Sequence, residues 1–149
     1  MKKIIFYCLF ILLYNCTGYS PIFTSDQNNF YIDKIEINED NKLIRSIIKN
    51  LKPYTLENGK QKLTLKLDLK KQESVIQKDS KGDPSSYEIK INLSVDIIFA
   101  NKTKNINFEE KFTLNEQSNK FEFNQYKKSM EKNLLNKIFE RLISELRLV

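Results

Sequence analysis

From residue 30 onward the apolar positions switch between two periods. Leu63, Leu65, Leu67 and Leu69 alternate with Thr64, Lys66, Asp68 and Lys70. Tyr87, Ile89, Ile91, Leu93, Val95, Ile97 and Phe99 alternate with Glu88, Lys90, Asn92, Ser94, Asp96 and Ile98. Successive side chains on a strand point to opposite faces, so strict period two predicts strands with one buried and one wet face. Ile106, Phe108, Phe112 and Leu114 outline another strand, in which Glu110 interrupts the apolar face and is expected to mark a bulge. Residues 30–37 read as a first strand, with Ile35 and Ile37 set against Lys34 and Glu36.

Two stretches keep steps of three and four instead. Leu43, Ile44, Ile47, Ile48 and Leu51 predict a short amphipathic helix. Asn38-Glu39-Asp40-Asn41 precedes it, with Asp40 or Asn38 as the expected cap, and Pro53 stops it. Tyr126, Met130, Leu134, Leu135, Ile138, Phe139, Leu142, Ile143 and Leu146 predict a long helix over residues 125–148, the main clamp on the sheet. Turns are expected at Asn58-Gly59, across the polar run 77–86, and over residues 101–105. The order is β-α-β-β-β-α. This is an α+β fold, a four-stranded, mostly antiparallel sheet with two helices packed on one face and the other face open. No internal repeat appears, and residues 30–149 read as a single domain.

The front of the chain follows neither period. Lys2 and Lys3 precede an apolar run of 11 residues, Ile4 to Tyr14. A bilayer-spanning helix needs about 20. The run instead fits the apolar region of an export signal, which is typically about 7–15 residues long. It ends in Leu13-Tyr14-Asn15-Cys16, which resembles a bacterial lipobox: Leu13 stands three before the cysteine, with Tyr14 and Asn15 where small residues are usual. Residues 1–15 are therefore expected to be a lipoprotein-type signal peptide, Cys16 the lipidated residue, and residues 16–29 a polar tether. A fatty-acyl anchor of two or more palmitate-class chains gives stable attachment, whereas one chain binds only marginally. Thr17, rather than Asp, follows the cysteine, which by analogy with lipoprotein sorting points to the outer membrane.

Composition narrows the chemistry. Hydrophobic residues at 40% and charged residues at 30% suit a folded domain with a core. Histidine is absent, and the two cysteines both fall within the first 16 residues. Histidine triads, histidine metal sites and CxxC sites are thereby excluded, so no metal and no cofactor are expected. The carboxylate pairs Glu109-Glu110 and Glu39-Asp40 do not form an acid–base pair: neighbours on a strand face opposite ways, and acids beside a helix start answer its dipole. The expectation is a protein that is not an enzyme. Net charge is +6, and +4 for the 23 basic and 19 acidic residues left once Lys2 and Lys3 are removed with the signal. Export and the lack of a recognition motif argue against nucleic acid as the partner.

Taken together, Cys16, the stretch Gly18-Tyr19-x-Pro21-Ile22-Phe23, the order of elements, and Leu135-x-x-Ile138-x-x-Arg141-Leu142 near the end resemble the lipopolysaccharide-assembly lipoprotein family LptE, in its alphaproteobacterial form. The resemblance spans nearly the whole chain and rests on soft motifs. It implies an outer-membrane lipoprotein on the periplasmic side that partners and plugs the LptD β-barrel and assists lipopolysaccharide assembly at the surface. A net positive domain is attracted to the phosphates and carboxylates of lipopolysaccharide. Lys66, Lys70, Lys71, Lys78, Lys81 and Lys90, placed on the open face and at the loop tip, are the candidate contacts, with solubilising surface lysines as the plainer explanation. The alternative function is a generic periplasm-facing lipoprotein that binds a ligand or serves as a scaffold.

Mass spectrometry of the mature N-terminus is expected to show an acylated Cys16. Cys16→Ala is expected to leave the signal uncleaved and release the product from the lipoprotein fraction. An unmodified start at any other residue rejects the lipidation reading.

Overall fold

The computed structural model describes residues 29–57 and 59–149. The expected signal peptide, Cys16 and all of the tether except Asn29 lie outside these residues, as does Asn58 of the expected Asn58-Gly59 turn. The described chain runs β1 (Phe30–Ile37), α1 (Lys42–Leu51), a 3-10 turn (Lys52–Thr55), β2 (Gln61–Lys78), β3 (Pro84–Phe99), β4 (Lys102–Asn115) and α2 (Lys120–Leu146). The four strands form one mixed sheet in the order β1-β2-β3-β4. β1 runs parallel to β2, and β2, β3 and β4 are antiparallel neighbours. The α+β order expected from the periodicity is the order observed.

β1 owes its phase to one extra residue. Phe30 and Ile32 are its buried anchors. The register then shifts between Ile32 and Lys34, which leaves Asp33 out of the pairing, and Ile35 comes opposite Leu65. The bulge moves Ile35 onto the face set by Ile32, where it packs against the core. Gly59 passes against the start of this strand. A Cβ there would lie 2.3 Å from the Phe30 carbonyl carbon, so the close approach of two backbones requires glycine.

Asn41 starts α1, in place of the expected Asp40 or Asn38. Its Oδ1 accepts from the amides of Leu43 and Ile44 at 3.0 and 2.9 Å. Its Nδ2 donates to the Leu69 carbonyl at 3.2 Å, which ties the helix start to β2. Asp40 instead takes Arg45 at 2.7 and 2.5 Å. Ile44, Ile47 and Leu51 are buried. Tyr54, in the turn that contains Pro53, stacks on Phe30 at 5.9 Å.

The β-meander is longer than the apolar alternation indicates. The loop between β2 and β3 shrinks from the expected 77–86 to residues 79–83, where Asp79 Oδ1 accepts from the amides of Lys81 and Asp83 at 2.8 and 2.9 Å. Residues Ala100 and Asn101, both at positive φ (45° and 61°), make the whole β3–β4 connection, with Phe99 paired to Lys102. Two left-handed residues in sequence match the twist of a tight hairpin. The expected turn at residues 101–105 is therefore mostly strand.

α2 begins five residues earlier than expected. Asn119 caps it, accepting from the amides of Phe121 and Glu122 at 3.0 and 3.3 Å. The added turn carries Phe123 into a small cluster with Ile89 and Leu114, where Tyr87 lies against it at 5.8 Å. Farther along, Leu134, Leu135, Ile138, Leu142, Ile143 and Leu146 meet Leu63–Leu69, Ile91–Ile97 and Phe108 in the main core. Tyr126, expected in the stripe, is 45% exposed.

Gly59→Ala is expected to lower stability by about 1–3 kcal/mol, the usual cost of forcing atoms into filled space. Urea unfolding monitored by circular dichroism reads this, and an unchanged midpoint would mean that the Phe30–Gly59 contact is not tight.

Candidate functional site

The open sheet face is built from alternate residues of all four strands, and its charges are matched. Lys62 pairs with Asp33 at 3.0 Å and Lys34 with Glu36 at 2.8 Å. Lys66 reaches Glu36 at 3.5 Å, Lys70 reaches Asp68 at 3.3 Å, Lys90 reaches Glu109 at 3.0 Å and Lys111 reaches Glu88 at 3.1 Å. Between them runs a polar ladder, Ser94 to Asn107 at 2.6 Å and Asn105 to the Asp96 carboxylate at 2.6 Å. A shallow hollow of about 230 Å³ there is lined by Asn38, Lys66, Asp68, Ser94, Asp96 and Asn105.

This arrangement divides the six candidate lysines into three kinds. Lys66, Lys70 and Lys90 stand on the open face, each on a carboxylate. Lys78 and Lys81 stand at the hairpin end, outside every ion pair among the described residues. Lys71 is not on the open face. It follows Leu69 on the helix-covered side, where it holds Glu131 of α2 at 2.5 Å. The apolar stripe of β2 ends at Leu69 but the strand continues, so the next residues on that face meet α2 with charge. Glu73 takes Lys127 at 2.5 Å.

Glu110 is explained the same way. The β3–β4 register runs through it without a shift, so it marks no bulge. Its carboxylate accepts from Arg141 of α2 at 2.9 Å, and the Arg141 guanidinium lies 5.5 Å from the centre of the Phe108 ring. Glu145 of the same helix takes Lys104 at 3.0 Å. The signal in the sequence is a charged residue on an apolar strand face with an opposite charge on the helix that covers it.

Several of these contacts move proton affinities. The Lys34 ammonium hydrogen-bonds Glu36 and holds its carboxyl below the usual range. Arg45 does so for Asp40, and Lys120, with help from the Tyr87 hydroxyl, does so for Glu116. Lys34, Lys62 and Lys120 are correspondingly raised by Glu36, Asp33 and Glu116. Among the described residues no group of three or more Cys, Asp or Glu side chains converges as metal ligands, and no helix is long and apolar enough to cross a membrane.

No family model matches the chain, and no curated protein matches it in sequence. Its fold is nevertheless found among solved structures. It is similar to rare lipoprotein B from Shewanella oneidensis, with a TM-score of 0.53, 15% identity, and coverage of 75% of this chain and 95% of that one. It is also similar to an uncharacterized lipoprotein B from Nitrosomonas europaea, with a TM-score of 0.56, 10% identity, and coverage of 88% and 89%. At these identities the likeness establishes the fold: the chain has the α+β architecture of the lipoprotein B structures.

Because Glu36, Asp40 and Glu116 have lowered values in the folded protein, their contribution is complete above the ordinary value and lost as pH falls through the lowered one. The urea midpoint is expected to stay flat near neutrality and to fall below about pH 4, where free carboxylates titrate. Glu116→Gln is expected to remove part of that acid-side slope. An identical pH profile for the variant would show that Lys120 and Tyr87 do not bias Glu116.

Proposed function

We propose that this chain is an outer-membrane lipoprotein of the LptE type, which partners and plugs an LptD-like β-barrel and assists delivery of lipopolysaccharide to the cell surface. One combination carries the reading: residues 1–15 read as an export signal running up to Cys16, the body has the fold of rare lipoprotein B, and the sequence resembles the LptE family. The role is that of a fitted accessory rather than an enzyme. Many of its surface carboxylates pair lysines and arginines across strands and onto helices, which suits a body that keeps its shape against a larger partner.

The lysines divide the lipopolysaccharide contacts. Lys78 and Lys81 offer their charge without breaking an ion pair, at the end of a hairpin that extends beyond the last buried leucine of β2. Lys66, Lys70 and Lys90 exchange a carboxylate for a phosphate, which makes their contribution smaller. Lys71, committed beneath α2, keeps the helix in place instead.

The full-length chain with a C-terminal tag, extracted from membranes in mild detergent, is expected to carry a large outer-membrane β-barrel in fixed ratio. Depleting the chain is expected to lower surface lipopolysaccharide. Recovery as a free lipoprotein, with surface lipopolysaccharide unchanged, rejects the reading in favour of a generic lipoprotein.

A further inference from the structure

The outer side of the helix layer carries a trough that the proposed role does not use. Two concavities of about 580 Å³ each lie between α1 and α2 and adjoin at Asn50 and Asn136, which line both, so together they make a two-part groove. Leu43 and Leu135 line its floor at one end and Phe139 lines it at the other. Lys42 and Lys49 of α1 and Lys128 and Lys132 of α2 stand along the first half. None of these four lysines belongs to an ion pair among the described residues. The carboxylate lining that half, Glu131, is already taken by Lys71 from the sheet below. On the sheet face, by contrast, the lysines sit on carboxylates. Unmatched positive charge is thus gathered along the first half, beside Leu43 and Leu135, while Glu140 and Arg147 line the other half.

We infer that this groove receives an acidic amphipathic helix from a protein partner. Apolar residues of such a helix at i, i+3, i+4 and i+7 would seat on Leu43, Leu135 and Phe139, with carboxylates on both flanks reaching the lysines. The spacing of the cations favours a helix over a lipid headgroup. Lys42 and Lys49 lie about 10 Å apart along α1, and Lys128 and Lys132 about 6 Å apart along α2, at 1.5 Å per residue. They line two rims rather than converging on one phosphate. The amides of Asn50 and Asn136 midway along the groove favour it as well. An acyl chain laid over them would bury polar groups without partners, whereas a peptide with polar side chains satisfies them. The inference stands whether or not the large partner is a barrel.

The test uses the full-length chain in its own membrane, with the photo-crosslinking residue benzoylphenylalanine at Ser46, an exposed position that lines the groove. Mass spectrometry of the adduct is expected to find a helical protein segment rich in Asp and Glu. Lys42→Glu with Lys132→Glu is expected to reduce the adduct at least tenfold while leaving thermal melting unchanged. If that pair fails to fold, Lys49→Glu with Lys128→Glu replaces it. A lipid adduct, a protein segment without acidic flanks, no adduct, or an adduct indifferent to charge reversal each overturns the inference.

Discussion

The structure depends on one long helix lying across a sheet that is longer than its own apolar stripe. Leu134, Leu135, Ile138, Leu142 and Leu146 of α2 bury against the leucines of β2 and the isoleucines of β3, and this burial supplies the non-directional part of the attraction. Burial alone would let the helix slide or rotate. The surrounding pairs prevent that: Lys127 on Glu73, Glu131 on Lys71, Arg141 on Glu110 and Glu145 on Lys104. Charge alternates along the helix, two lysine and arginine positions against two glutamates, so a shift of one turn sets like charge against like. Half-exposed pairs of this kind contribute about 0–1 kcal/mol each, too little to hold the layers together. Their role is to choose one alignment among several that the apolar contact would accept.

The same division of labour explains what was legible in the sequence. Over β2, β3, α1 and most of α2 the buried faces show as period two or period three-and-four, and the order of elements and the one-sided cover follow from them. The boundaries were set by groups that carry no period. Asn41 and Asn119 start the helices through two side-chain contacts each, and in a chain with many asparagines nothing distinguishes those two in advance. The end of β2 was hidden because its last nine residues are exposed on both faces. Their hydrogen bonds to β3 hold them in the sheet although their side chains lack an apolar rhythm. Glu110 looked like a defect because its partner, Arg141, lies 31 residues downstream on a different element. β1 hid a bulge because Phe30 with Ile32 and Ile35 with Ile37 are each correct pairs in opposite phase, and only the pairing with β2 shows that Asp33 is the residue skipped.

The candidate site was legible in its residue types and only partly in its geometry. A lysine on a strand can be assigned to a face by parity, and parity placed Lys66, Lys70 and Lys90 correctly. Lys71 is odd-numbered like the leucines before it, so parity also assigns it to the covered face once β2 is known to continue. Four further lysines escape such a reading for another reason. Lys42, Lys49, Lys128 and Lys132 flank apolar positions on two helices far apart in sequence, and only the tertiary packing brings the four to one groove.

The surface therefore divides by electrostatics as well as by architecture. The sheet face is a lattice of paired charges and amides, close to neutral in its local field and well suited to lie against water or a polar wall. The helix side gathers Lys42, Lys49, Lys128 and Lys132 around a groove whose apolar lining, Leu43, Leu135 and Phe139, is buried or half-buried. The edges differ too. β1 is short, bulged and bordered by Asp33, Lys34 and Glu36, features that discourage a further strand. β4 runs 14 residues in unbroken register and leaves its outer backbone groups to the surroundings. A freely diffusing domain would run a risk of edge-to-edge pairing along such a strand. The charges at Lys102, Lys104, Glu109 and Lys111 discourage such pairing. The long regular edge, the matched face and the groove thus give the body three exposed sides of different physical character.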